Sequence, residues 1–123
     1  MIGAQSAITA VSAFNLICAG TWIPAGKVIP PHPFTTVVRV DLSKQRWCRG
    51  ECLETKPIFS MSETNLVLEY TVMGAIIDKT IISRESGDYQ SVSTVEYNGE
   101  TIFTGEFGNC KIEEFSGFPQ RKF

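Results

Sequence analysis

The residues of this 123-residue chain that could do chemistry are few: four cysteines, one histidine, an arginine inside an apolar run and one adjacent pair of acids. His32 lies in Pro30-Pro31-His32-Pro33. A Ser-His-Asp or Cys-His arrangement would have to use it, because a nucleophile of that kind needs a nearby base. Its setting reads as a surface loop. No G-x-S-x-G, phosphate loop, dinucleotide fingerprint or H-E-x-x-H is present. Glu113 and Glu114 are consecutive, and neighbouring strand residues point to opposite faces, so they read as a solvated strand end rather than an acid/base pair. Arg39 would suit a carboxylate, which a planar guanidinium grips with two parallel N–H donors. It could do so only from a lumen, and alternation puts it on the solvent face. The expectation is a non-catalytic protein with no catalytic residue, metal or cofactor; an enzyme ranks third among the readings.

Cysteine spacing says more. Cys18 and Cys110 sit near the ends of the chain, and Cys48 and Cys52 form a C-x₃-C pair. Four cysteines allow three pairings. The expected one is Cys18–Cys110 with Cys48–Cys52. The short loop can close because Gly50 at its centre turns freely. The long one requires the first and last strands to be neighbours, since a disulfide needs Cα atoms within about 7 Å. Zinc is the rival reading, but one C-x₃-C without a second close pair is a poor zinc signature. Redox-active pairs are usually C-x₂-C at a helix start, and nothing after Cys52 reads as a helix. Paired cysteines persist mainly outside the reducing cytosol, which implies a periplasmic or secreted protein.

The elements that must position these residues read as strands throughout. Phe14–Trp22 opens the series. Residues 23–33, IPAGKVIPPHP, hold four prolines and form a loop, because proline cannot donate to a ladder. Further runs follow at Phe34–Leu42, Trp47–Cys48, Lys56–Met61, Asn65–Val72, Ala75–Ser83, Tyr89–Tyr97 and Glu100–Ile112. Gly87 marks one hairpin loop. Asn98-Gly99 marks another, as the type I′ dipeptide does. Gly105 and Gly108 suggest a bulge or bend. Alternation assigns Leu66, Leu68, Tyr70 and Val72 to one face, and Val38, Val40 and Leu42 to the face opposite Arg39 and Asp41. Ile77 and Ile81 alternate with Asp78 and Thr80. The fold class expected is all-β: an antiparallel meander closing into a lipocalin-like barrel of about eight strands, with a β-sandwich as the alternative.

Composition is ordinary for a globular domain, 43% hydrophobic and 20% charged. A net charge of −2 with scattered cations argues against nucleic acid as a partner. The densest cationic group, Lys44, Arg46 and Arg49, is interrupted by Glu51 and Glu54 and reads as solvated surface. No apolar run approaches the roughly 18 residues a membrane span needs. Residues 1–13 are expected to be a leader or signal-peptide remnant, since IGAQSAITAVSA is small, uncharged and ends in Val-Ser-Ala. Residues 14–123 are expected to be one domain.

Most aromatic residues, among them Trp47, Tyr89, Tyr97 and Phe103, are expected in the core or at the barrel ends. An eight-stranded barrel can still hold one small ligand. Trp22, Arg39 and Tyr70 are the candidate ligand-binding residues, for a small apolar or amphipathic molecule in the lumen. Phe115, Phe118 and Phe123 form an apolar cluster after the last strand. They are the candidate contact surface if the protein is instead an interaction or inhibitor module.

Gly20-Thr21-Trp22 resembles the G-x-W near the first strand of lipocalin-like and avidin-like barrels, although here it follows the run Phe14–Ala19. The chain is similar, more loosely, to small periplasmic protease inhibitors of bacteria with that barrel. A longer likeness joins Phe14-Asn-Leu-Ile-Cys18-Ala-Gly-Thr21, Arg39-Val-Asp-Leu42, Trp47-Cys48-x₃-Cys52, Ile82-Ser-Arg-Glu-Ser-Gly87 and Cys110 with Phe115-Ser-Gly-Phe-Pro119. These resemble a family of uncharacterised exported proteins from α-proteobacteria. The resemblance implies export and the cysteine pairing, and it implies no activity.

Overall fold

The computed structural model describes residues 12–25 and 29–118. Nine strands follow one another: β1 (Ala13–Ile23), β2 (His32–Asp41), β3 (Arg46–Arg49), β4 (Lys56–Pro57), β5 (Ser60–Met61), β6 (Asn65–Met73), β7 (Ile76–Ser83), β8 (Asp88–Tyr97) and β9 (Glu100–Glu114). They form one sheet in the order β4-β3-β2-β1-β9-β8-β7-β6-β5, with every pair antiparallel. There is no helix among the described residues. The expected leader falls mostly outside them.

The turns follow local chemistry. Asn98 and Gly99 both take positive φ, 51° and 77°, as a type I′ turn demands. Between β2 and β3, the Asp41 carboxylate accepts from Ser43 Oγ at 2.6 Å and Lys44 N at 3.1 Å. The Ser43 hydrogen bond, chiefly, holds that carboxyl below its ordinary range. This turn launches β3, whose last residue is Arg49.

The first and last strands are neighbours over ten paired residues, with Cys18 directly opposite Cys110. Both expected disulfides are present. Gly20 faces Gly108 in the same ladder. A Cβ on Gly20 would lie 2.0 Å from the Phe107 carbonyl oxygen, and one on Gly108 would lie 2.1 Å from that of Ala19. The expected bulge at Gly105 and Gly108 is therefore corrected. β9 keeps an unbroken register, and the Gly20–Gly108 pair exists because two backbones touch there.

The expected closed barrel of eight strands is also corrected. The run Lys56–Met61 is split. Lys56–Pro57 pairs with β3, and Ser60–Met61 pairs with β6. Between them, Ile58 N donates to Gln45 O and Phe59 N to Leu68 O. The run thus supplies both outer strands of the sheet yet ladders to each neighbour over only two residues, and Pro57 has no N–H to give. The result is a curled half-barrel sheet. A second sheet, which the sandwich alternative requires, is absent among the described residues.

The concave face carries the core, including Phe14, Leu16, Val38, Val40, Trp47, Leu66, Leu68 and Tyr89. Pairing across the rungs fixes which residues join them. A register shift between Val67 and Glu69 marks a bulge in β6. Leu68 is 1% exposed and Glu69 half-buried, so two consecutive residues face inward, as at a bulge where two residues oppose one. Beyond it the alternation is inverted. Tyr70 and Val72, expected beside Leu66 and Leu68, lie on the convex side, 41% and 57% exposed. On β7 the inward residues are Ile82, Thr80 and Asp78 rather than Ile77 and Ile81. Tyr97 and Phe103, expected in the core, are exposed.

Candidate binding cup

The bulge decides what lines the concavity. Above the apolar floor, one rung of paired residues runs Glu69–Thr80–Ser91–Glu106–Trp22 across five strands. The next runs Thr71–Asp78–Ser93–Thr104. Directly opposed residues share a face. All of these residues but Thr71 line a cup of about 370 Å³, open on one side, whose wall Arg49, Lys79, Val92 and Gly105 complete.

Arg49 enters this cup from the other side of the curled sheet. It pairs with Val38, which is fully buried on the concave face, so its side chain points inward. Its Nη1 donates to Tyr89 Oη at 2.7 Å, Ser91 Oγ at 3.3 Å and Glu106 Oε1 at 3.4 Å. Tyr89 Oη in turn donates to Glu106 Oε1 at 2.9 Å. Thr80 Oγ1 and Ser91 Oγ share a hydrogen bond of 2.8 Å. The guanidinium of β3 thus braces β8 and β9 across the interior. Its own approach is fixed twice. Arg49 lies inside the loop closed by Cys48–Cys52, and the neighbouring Arg46 binds Thr55 through Nε and Nη2. Trp22 forms a side wall and stacks on His32 with ring centroids 5.7 Å apart.

Burial pushes the Tyr89 hydroxyl up from 10.0 to about 12; Arg49 opposes that shift and Glu106 adds to it. The linkage has a definite sign. Below pH 10 both folded and unfolded chains keep the proton. Between pH 10 and 12 the unfolded chain loses it first, so stability falls as pH rises through that window. The expected loss is on the order of 2 kcal/mol by pH 12. Urea unfolding across this range, compared with Tyr89→Phe, measures it; a pH slope identical in the two proteins would contradict the assignment.

The structure separates the sequence-derived candidates. Trp22 lines the cup. Arg39 does not: it pairs with Asn15 on the convex face, and its Nη1 donates to Gly117 O at 3.2 Å. Asn15 also binds Ser116. Arg39 thus lies outside the cup, on the face that alternation gives it, and binds the C-terminal tail. Tyr70 is turned out by the bulge and packs against Phe59, with centroids 5.5 Å apart. Phe115 and Phe118 are half-buried and meet edge to face, while Phe123 lies outside the described residues. Glu113 and Glu114 are exposed. Sequence reasoning missed Arg49, Glu69, Asp78 and Glu106. Arg49 had a legible signal in its position between the paired cysteines.

A second hollow of about 510 Å³ lies at the opposite end, between Phe14, Leu16, Leu66 and Ile82. Its charged lining residues are Arg84 and Glu85, and Arg84 is already committed to Ser62 O. No group of metal-ligating residues occurs among the described residues. No family model, curated protein or solved structure matches the chain.

Proposed function

We propose that this protein is a non-catalytic binder of a small molecule, held in the cup between Arg49 and the two polar rungs. The observation that carries this reading is the convergence of polar groups from five strands on one hollow beside an indole, with Arg49, Thr80, Ser91 and Glu106 held in place by hydrogen bonds, as convergent polar groups in a concave site suggest. From the expected range of apolar or amphipathic ligands the cup selects the amphipathic end. Trp22 and Val92 offer apolar surface, and most of the residues around them offer hydrogen bonds. Two disulfides belong to proteins of oxidising compartments, and the periplasm or the extracellular space is the proposed address. Native mass spectrometry of protein purified from its own host tests the reading. A bound small molecule is expected with the wild type and lost with Trp22→Ala. An adduct equally retained by that variant, or no adduct, contradicts it.

A different observation favours docking to a partner as the second reading. Every residue from Tyr70 to Ile77 is exposed, and none is charged. The rungs Met73–Ile76–Val95–Ile102 and Val72–Ile77–Thr94–Phe103 make the end of the β6–β9 meander apolar on both faces. Exposed apolar patches of this kind mark contact surfaces. The expected surface around Phe115 and Phe118 is weaker, because those rings already pack on each other.

A further inference from the structure

We infer that the ligand of the cup is a zwitterion, a small molecule with one carboxylate and one ammonium group, such as a free amino acid. This rests on the cup being a binding site and adds the charge pattern of what fills it. Arg49 makes all its hydrogen bonds to described residues through Nη1. Nε and Nη2 of the same guanidinium have no hydrogen-bond partner among the described residues; Arg49 lines the cup and also stands over the Trp47 ring, 5.8 Å from its centroid. The Nε–Nη2 edge is a two-pronged donor whose spacing matches a carboxylate. The Glu106 carboxylate is already shared between Arg49 and Tyr89, so it holds the guanidinium plane in place without covering its second edge.

Across the cup, Glu69 and Asp78 are half-buried and make no hydrogen bond or ion pair with any described residue; the one ion pair there is Arg49–Glu106. Glu69 opposes Thr80 and Asp78 opposes Thr71, which makes the two acids diagonal neighbours on one face. Diagonal neighbours lie about 7–8 Å apart at the backbone, within reach of a single ammonium between them. Glu69 stands two strands away from Ser91, where Nη1 of Arg49 is anchored, or roughly 10 Å of sheet before side chains shorten it. A small zwitterion spans the remainder.

Charge excludes the simpler alternatives. A plain anion meets Arg49 but also three carboxylates, Glu69, Asp78 and Glu106; the other cation of the lining, Lys79, is exposed and pairs with the outward Tyr70. A plain cation meets the acids but leaves Nε and Nη2 of Arg49 without an acceptor. Only a molecule with both charges, in this order, satisfies both walls.

The test is a set of ¹⁵N–¹H correlation titrations of the full chain with four probes: a mixture of the common amino acids, the same mixture as carboxyl amides, the same mixture N-acetylated, and glucose. The free amino acids are expected to shift the amides of Arg49, Thr80 and Ser91, and each blocked mixture to bind at least about tenfold more weakly, the scale of one lost charged hydrogen-bond pair. Glu69→Gln, a half-exposed substitution that leaves the core intact, is expected to weaken the free mixture and not the N-acetylated one. Binding of a blocked mixture or of glucose as tightly as the free amino acids overturns the zwitterion and leaves the cup standing. No shift at the cup with any probe removes both.

Discussion

Replacing Cys18 and Cys110 together by alanine is expected to lower folding stability by about 4–5 kcal/mol, the loop-closure entropy of a bridge this long. The two cysteines are 92 residues apart in sequence. In the folded protein they sit opposite each other within a ten-residue ladder whose backbone pairing runs on to either side of them. The bond therefore acts mainly on the unfolded chain, whose freedom it removes. Far-ultraviolet dichroism of the variant should keep its strand signature while the urea midpoint falls. A midpoint equal to that of the wild type would mean the bridge is not formed.

The second large effect comes from a single methyl group. Gly20→Ala is expected to cost on the order of 3 kcal/mol or more. Its Cβ would lie 2.0 Å from a backbone oxygen and 2.5 Å from the Gly108 Cα, so the neighbour cannot give way as a flexible side chain would. Alanine does gain about 0.4–1 kcal/mol by stiffening the unfolded chain, but that is too small to offset a parted ladder. The exposed neighbour supplies the control. Ala19→Ser should leave the urea midpoint nearly unchanged. Equal midpoints for Gly20→Ala and Ala19→Ser would show that β1 and β9 are not in this register.

What the sequence disclosed and what it hid divide along a physical line. Strand runs, the Asn98-Gly99 turn and both disulfides are local or pairwise properties, and each was legible. The sidedness of β6 was not. A bulge adds one residue to one strand, and the segment Val67-Leu68-Glu69 contains no glycine or proline to announce it. Alternation read through that point assigns Tyr70 to the interior and leaves Glu69 outside, the reverse of the fold. β7 carries no bulge; its part of the polar wall was hidden because Asp78 and Thr80 face inward while Ile77 and Ile81 face out, against the usual polarity of a strand. Arg39 lies on the face opposite Val38 and Val40, as alternation places it, and the arginine of the concave face is Arg49. Arg49 is the one that pairs with an inward valine, and nothing in a run of mixed charges distinguishes it except the cysteines on either side.

Closure of the sheet was out of reach for a related reason. Lys56–Met61 reads as one strand, as a closed barrel requires. Only the pairing partners reveal that its halves serve different neighbours. The apolar tip of the β6–β7 hairpin was visible as a sequence, but its exposure on both faces depends on how far β6 to β9 extend beyond the core.

The most direct measurement of the central claim is a chemical-shift map of the ¹⁵N-labelled protein titrated with the low-molecular-weight fraction of its own host's extract. The cup account predicts perturbations concentrated at Arg49, Asp78, Thr80, Ser91 and Glu106, abolished in Trp22→Ala. Perturbations confined to Tyr70–Ile77, with the cup amides unmoved, would contradict it.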